Sequence, residues 1–137
     1  MEFEILEHPA DIGFRVRGRT IAELFENAAT AMLSIACELT NISPVREYPF
    51  EASGSDIESL LVNWLNELLY WTDGKQIAIA RVRVKTIDSQ HVAAVGTGEP
   101  RDPSRHRMRI IVKAVTYHQL KVEQAADGWS AAVYLDI

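Results

Sequence analysis

The stretch Trp129-Ser130-Ala131-Ala132-Val133-Tyr134-Leu135-Asp136-Ile137 decides the fold. Trp129, Ala131, Val133 and Leu135 alternate with Ser130, Ala132, Tyr134 and Asp136, the period of two imposed by a half-buried β-strand. Chain ends fray unless a strand or helix ties them down, so the alternation predicts that Asp136 and Ile137 belong to the folded body. Working outward, Ala126-Asp127-Gly128 reads as a turn, residues 120–123 as a strand and the β-branched run 110–117 as another. Residues 96–109, rich in Gly, Pro and Arg, read as a loop. Residues 91–95 read as a strand reached through Asp88-Ser89-Gln90. Ahead of it Ile77 and Ile79 alternate, and Val82 and Val84 continue on the other phase, which predicts a bulge near Ala80-Arg81.

The first half of the chain changes period. Phe3 to Leu6 is a strand-like run, and Ile12, Phe14 and Val16 alternate with Gly13, Arg15 and Arg17 until Gly18. Thr20 and Glu23 form a T-x-x-E capping box. Behind them Ile21, Leu24, Phe25, Ala28, Met32, Ile35, Ala36 and Leu39 recur at helical spacing, giving a helix over about residues 21–38. Ser43-Pro44 and Pro49 bound a short extended piece. Ser55 with Glu58 caps a second helix, whose stripe of Leu60, Leu61, Trp64, Leu65, Leu68 and Leu69 is wide enough for burial on more than one side. Asp73-Gly74 stops it. The order of elements predicts an α+β fold, two helices on a largely antiparallel or mixed β-sheet sandwich, as a single domain over 1–137.

Composition narrows the class. The chain has 137 residues, 47% hydrophobic and 24% charged, which suits one globular domain with a real core. No apolar run approaches the roughly 20 residues of a membrane span, and the acidic start Met1-Glu2-Phe3-Glu4 lacks the features of a secretory signal. Cys37 stands alone, so no internal disulfide forms, in keeping with a reducing, cytoplasmic setting. Its place in an apolar helical pattern makes it a packing residue. The net charge of −5 argues against affinity-driven nucleic-acid binding and for a metal ion or a basic protein partner.

Phosphate-loop, dinucleotide, H-E-x-x-H and C-x-x-C motifs are absent, and Gly96-Thr97-Gly98 reads as a turn device. Three polar groups remain. The first is Glu7-His8-Pro9-Ala10-Asp11, a corner between two strands, with Asp11 on the parity of Gly13, Arg15 and Arg17 and so off the core face. The second is Asp136 with the α-carboxylate of Ile137, a dense set of hard oxygen donors. Should Asp11 lie near them, the like charges would repel unless a cation sat between. Otherwise both aspartates are exposed strand-end charges. The third is Lys113 to His118, in which alternation puts Lys113, Val115 and Tyr117 on one face and His118 at a turn. The run from Arg101 to Arg109, with Arg105 and His106, is a solvated loop or a small anion-binding or docking patch.

These segments together resemble the archease family. The resemblance rests on His8-Pro9-Ala10-Asp11-Ile12-Gly13, on the helix from Thr20 with Ala28-Ala29-Thr30-Ala31-Met32, and on Leu60 to Tyr70. It continues through Gly98-Glu99-Pro100 with Arg105-His106, Lys113 to His118 and Leu135-Asp136-Ile137. Pro9 departs from an H-T-A-D pattern and removes a backbone donor and a hydroxyl. The resemblance implies a small α+β sandwich and an accessory factor of an RtcB-type tRNA-splicing RNA ligase. Such a factor is no enzyme itself; it promotes guanylylation and multiple turnover of the ligase and meets tRNA only through it. It also implies a metal site at Asp11, Asp136 and Ile137, with calcium as the divalent ion, or magnesium or manganese by donor chemistry. His8, Lys113, His118, Arg105 and His106 are the accompanying candidates for support or docking. The alternatives are a metal-stabilised chaperone or scaffold module, a stand-alone metal-dependent hydrolase using the aspartates with His8 or His118, and direct RNA binding by the arginine-rich loop.

Overall fold

The computed structural model describes residues 3–8 and 11–137, and of residues 6–8 it describes the backbone alone. The alternation at the end of the chain forms a strand, β7 (Gly128–Asp136), with Ala131, Val133 and Leu135 buried. Before it come β1 (Phe3–His8), β2 (Asp11–Gly18), α1 (Ile21–Ala36), β3 (Arg46–Ser53), α2 (Ile57–Leu69), β4 (Ile77–Ile87), β5 (His91–Pro100) and β6 (Ala114–Ala125). The strands form two antiparallel sheets, ordered β1-β2-β7-β6 and β3-β5-β4. Among the described residues, no helix is long and apolar enough to cross a membrane.

Both helices touch both sheets: α1 packs on β2, β7 and β4, and α2 on β3, β5 and β6. Their buried residues therefore spread over more than one side, as the breadth of the α2 stripe predicts. The core joins Phe14, Phe25, Phe50, Leu60, Trp64 and Leu135, all at most 2% exposed. The Trp64 indole N–H is satisfied by the Phe25 carbonyl oxygen at 3.0 Å, as a buried donor must be. Polar side chains on the helices fasten the sheets. Glu26 accepts from the Val84 N–H at 2.8 Å, and Asn63 donates to the Ser53 carbonyl at 2.7 Å.

Several boundaries differ from the sequence reading. Helix α1 ends at Ala36, because Cys37 leaves the helix to bridge to Met108, and Leu39–Asn41 forms a separate short turn. Thr20 caps α1, but Glu23 reaches back to the Arg19 N–H, one residue before the cap. The cap of α2 is Asp56 with Ser59, not Ser55 with Glu58: Asp56 accepts from the Ser59 N–H at 2.8 Å and the Ser59 hydroxyl accepts from the Asp56 N–H at 3.1 Å. Pro49 lies inside β3, which its edge position permits. The bulge expected near Ala80-Arg81 is present between Ile79 and Arg81, and a second lies between Val84 and Thr86.

The largest correction concerns residues 96–109. Strand β5 continues through Gly96-Thr97-Gly98 to Pro100, and the loop covers 101–113. Gly98 is required for close packing: a Cβ there would collide with the Ala78 carbonyl. Residues 110–113 precede β6, and residues 120–123 continue it past an irregularity between Thr116 and Lys121, where Gln119 adopts φ 53°. Lys113 therefore does not share a strand face with Val115. Val115 is buried, while Lys113 and Tyr117 are exposed.

Candidate functional site

Strand pairing brings the two aspartates together. In the β2–β7 ladder Asp11 is directly opposite Asp136, and the next row pairs Gly13 with Tyr134 on the same face. Opposite residues in an antiparallel pair have Cβ atoms about 4.5–5.5 Å apart, so the carboxylates of Asp11 and Asp136 share one patch. The core-facing neighbours Ile12 and Leu135 are buried, which turns both aspartates away from the helices. The row continues in register to His8 on β1 and Ala114 on β6. The side chain of His8, the position of Pro9 and any consequence of that proline for neighbouring hydrogen bonds lie outside the described residues.

The two carboxylates have unequal surroundings. The Asp11 Oδ1 atom is buried and has no hydrogen-bond partner among the described residues, whereas Asp136 is exposed. A carboxylate oxygen withdrawn from water without a donor is costly, and two carboxylates on adjacent strands add repulsion. A divalent cation with hard oxygen ligands would relieve both. The donor set therefore fits such an ion, with Ile137, 38% exposed, immediately after Asp136. Among the described residues no three His, Cys, Asp or Glu side chains gather to hold a metal.

The surroundings are built by residues that periodicity alone does not single out. The Tyr134 ring lies on Gly13 so closely that a Cβ there would stand 2.7 Å from the ring. His118 stacks edge-on to Tyr134 with ring centroids 6.1 Å apart, so His118 covers the tyrosine beside the aspartate pair. Tyr134 is only 6% exposed although it faces away from the helices. On the other flank the Lys113 N–H donates to the Asp136 carbonyl oxygen at 2.8 Å. The Lys113 side chain is exposed and makes no ion pair among the described residues. Asn66 of α2 holds the start of β6: it accepts from the Val115 N–H at 3.0 Å and donates to the Val115 carbonyl at 3.5 Å. The nearest sequence signal for Asn66 is a polar residue interrupting an apolar helical stripe.

Arg105 and His106 belong to a different cluster. Glu99, 8% exposed, accepts from the Arg105 guanidinium at 2.9 Å and the Ser43 N–H at 2.8 Å, and it meets His106 Nε2 at 2.9 Å. His106 Nδ1 accepts from the Asp102 N–H at 2.8 Å, so the ring proton sits on Nε2 and donates to Glu99. The Arg105 guanidinium and the Ser43 N–H hold the Glu99 carboxyl down to about 2, against a burial effect in the opposite direction. This network anchors the start of the loop whose far end, Lys113, bonds Asp136. Cys37 is buried, and burial pushes its thiol up, away from a reactive thiolate.

Fold and site together define a small α+β domain of two antiparallel sheets, with paired aspartates where its second and last strands meet. The chain belongs to the archease family: the model of the Archease protein family (MTH1598/TM1083) matches residues 3–137. It is 41% identical over 140 residues to the protein archease of Methanosarcina acetivorans, covering 99% of this chain and 96% of that protein. The protein archease of Sulfurisphaera tokodaii is 35% identical, with 99% of each chain covered. The solution structure of Methanobacterium thermoautotrophicum protein 1598 superposes with a TM-score of 0.83 at 33% identity, covering 98% of both chains. The crystal structure of a Thermotoga maritima archease, described as a possible chaperone, shares the fold with a TM-score of 0.68 at 23% identity, covering 96% of this chain and 94% of that one. The family resemblance carried by the sequence motifs is thus borne out over nearly the whole chain.

Proposed function

We propose that this chain is a cytoplasmic accessory protein of an RtcB-type tRNA-splicing RNA ligase, promoting the ligase's guanylylation and multiple turnover without turning over a substrate of its own. Asp11, Asp136 and the terminal carboxylate of Ile137 would hold a divalent cation, calcium first, in this role. The observation that carries the reading is the register of Asp11 on Asp136 together with the buried, donorless Asp11 Oδ1. Bound there, the ion would supply positive charge that neutralises phosphate oxygens of the ligase's nucleotide. The chain's own residues do the rest. Tyr134 over Gly13 makes one wall of the carboxylate patch, and the Lys113 N–H fixes the main chain of Asp136. The ligase supplies the nucleophile, and tRNA is met through it.

The test measures guanylylation and multiple-turnover RNA joining by the ligase with folded Asp11→Asn and Asp136→Asn variants. Stimulation equal to the parent chain in either variant refutes the site. Stimulation that survives full chelation favours a scaffold or chaperone role instead.

A further inference from the structure

Charges on the outer face of the three-stranded sheet are sorted by edge. The helices lie on the inner side, where Phe50, Val92, Ala94 and Val82 are buried in the core. The alternate residues of β5, namely Ala93, Val95 and Thr97, face outward and are small, so they floor a shallow trough. In the pairing, Glu47 and Arg81 flank Thr97, and Pro49 and Arg83 flank Val95. Glu51 and Thr86 flank Ala93 in the next row, and Lys85, the extra residue of the second β4 bulge, lines the trough beside them. Ile42 packs on Ala78 and Ala80 at the Thr97 end; beyond it the flanking charged residues are exposed.

These charges do not satisfy one another within the chain. Glu47, Arg81, Arg83 and Lys85 make no ion pair among the described residues, and Glu51 only approaches His91 Nε2, at 3.9 Å. Lys75, which borders the trough past β3, is taken up by the Trp71 ring, 3.8 Å from its centroid. Two strand spacings, about 10 Å, separate the glutamates of β3 from the cations of β4. The face is therefore acidic along one edge, basic along the other and small-residued between. Like charges stacked along one strand repel, and each edge lacks the opposite charge it would need to offset that.

We infer that this face binds the same face of a second copy of this chain, about a two-fold axis running along β5. That rotation exchanges the two edges and keeps the rows. Glu47 of each copy then meets Arg81 of the other, and Glu51 meets Lys85, so every contact is made twice. Arg83 comes to lie over the other copy's Pro49, between its two glutamates. Ala93, Val95 and Thr97 oppose their own counterparts, and their small size lets the sheets approach to the usual spacing of about 10 Å. A partner of one charge sign would satisfy one edge and oppose the other, so the sorted edges select a second copy. The face is three strands wide and roughly 15 Å each way, a small contact of the transient class. Asp11 and Asp136 belong to the other sheet and face away from the helices, so both aspartate pairs stay open in the dimer.

Sedimentation equilibrium on the full chain, from micromolar to millimolar concentration, reads the association. A monomer–dimer equilibrium that weakens with added salt is expected. Glu47→Arg and Arg81→Glu each set like charges opposite one another and should weaken the dimer by about tenfold or more. Mixed in equal amounts, the two variants are complementary at both contacts and should pair with each other as tightly as the parent pairs with itself. Both positions are exposed, and melting curves matching the parent chain establish that the variants fold. A parent chain that stays monomeric throughout, or that assembles equally well with either substitution, overturns the inference. A mixture of the two variants that stays monomeric overturns it as well.

Discussion

Replacing Asp11 with Asn should reverse sign according to whether a divalent ion is present. In chelator the pair Asp11 and Asp136 stands uncompensated on adjacent strands. At a separation of about 5 Å two unit charges repel by about 1 kcal/mol at a water-like dielectric and about 4 times that at an effective value of 20. Asp136 is exposed, so the lower figure applies. Asn at position 11 removes that repulsion and leaves an amide that can meet the Asp136 carboxylate. The ion-free variant should therefore melt a few degrees above the parent, at roughly 3–4 °C per kcal/mol for a domain of this size. With calcium at about 100 times its dissociation constant, the parent gains about 2.7 kcal/mol, roughly 8–10 °C, and overtakes the variant. The assay is thermal unfolding followed by circular dichroism, for both proteins, in chelator and with calcium, magnesium and manganese in turn. A parent chain indifferent to all three ions, or an Asn variant that gains as much as the parent, would refute the reasoning.

Other consequences can be checked separately. Gly13→Ala places a Cβ against the Tyr134 ring, which stands 2.7 Å from that position, so the ring must move; overpacking of this kind costs about 1–3 kcal/mol in urea unfolding. Asn66→Ala leaves both backbone groups of Val115 without their side-chain partner and should lower stability by about 1–3 kcal/mol in urea unfolding. The Glu99 carboxyl is held down to about 2 in the folded chain, below its ordinary 4.5, so its contribution to stability is fully present above 4.5 and is lost as the pH falls from there to about 2. The stability gap between the parent and Glu99→Gln should close across that window in acid titrations. A short extension after Ile137 converts the terminal carboxylate to an amide; melting in chelator should be unchanged while the calcium-dependent gain shrinks.

The elements were legible wherever one face of a segment is buried and its period is clean. Strand β7 follows from Trp129 to Asp136, the helices from their apolar stripes, and the first bulge of β4 from the phase change between Ile79 and Val82. Gly96, Gly98 and Pro100 misled because their composition resembles a loop. In the folded chain Gly98 serves a strand, where only a hydrogen atom fits against the Ala78 carbonyl. The cap of α2 was displaced by one residue because Ser55, Asp56 and Ser59 offer competing oxygen acceptors, and the Asp56–Ser59 pair satisfies two backbone donors at once.

The candidate site divides along the same physical line. Parity within β2 and β7 placed Asp11 and Asp136 off the core face, which is local information. Their adjacency is not local, because it depends on β7 inserting between β2 and β6 across the whole length of the chain. A register slip of one residue would turn either aspartate toward the buried face. The register is fixed instead by the core sets Ile12, Phe14 and Val16 on β2 and Ala131, Val133 and Leu135 on β7, which must all point inward together. The apolar core thus positions the carboxylates, and the energy of burying those six side chains is what holds two like charges side by side. Tyr134 and Gly13 extend the logic by one row, because a ring can lie flat on the sheet only where its cross-strand partner has no side chain. The aspartate pair is therefore a product of the sandwich's strand order, and changes that loosen the β2–β7 ladder should disturb the pair before they unfold the domain.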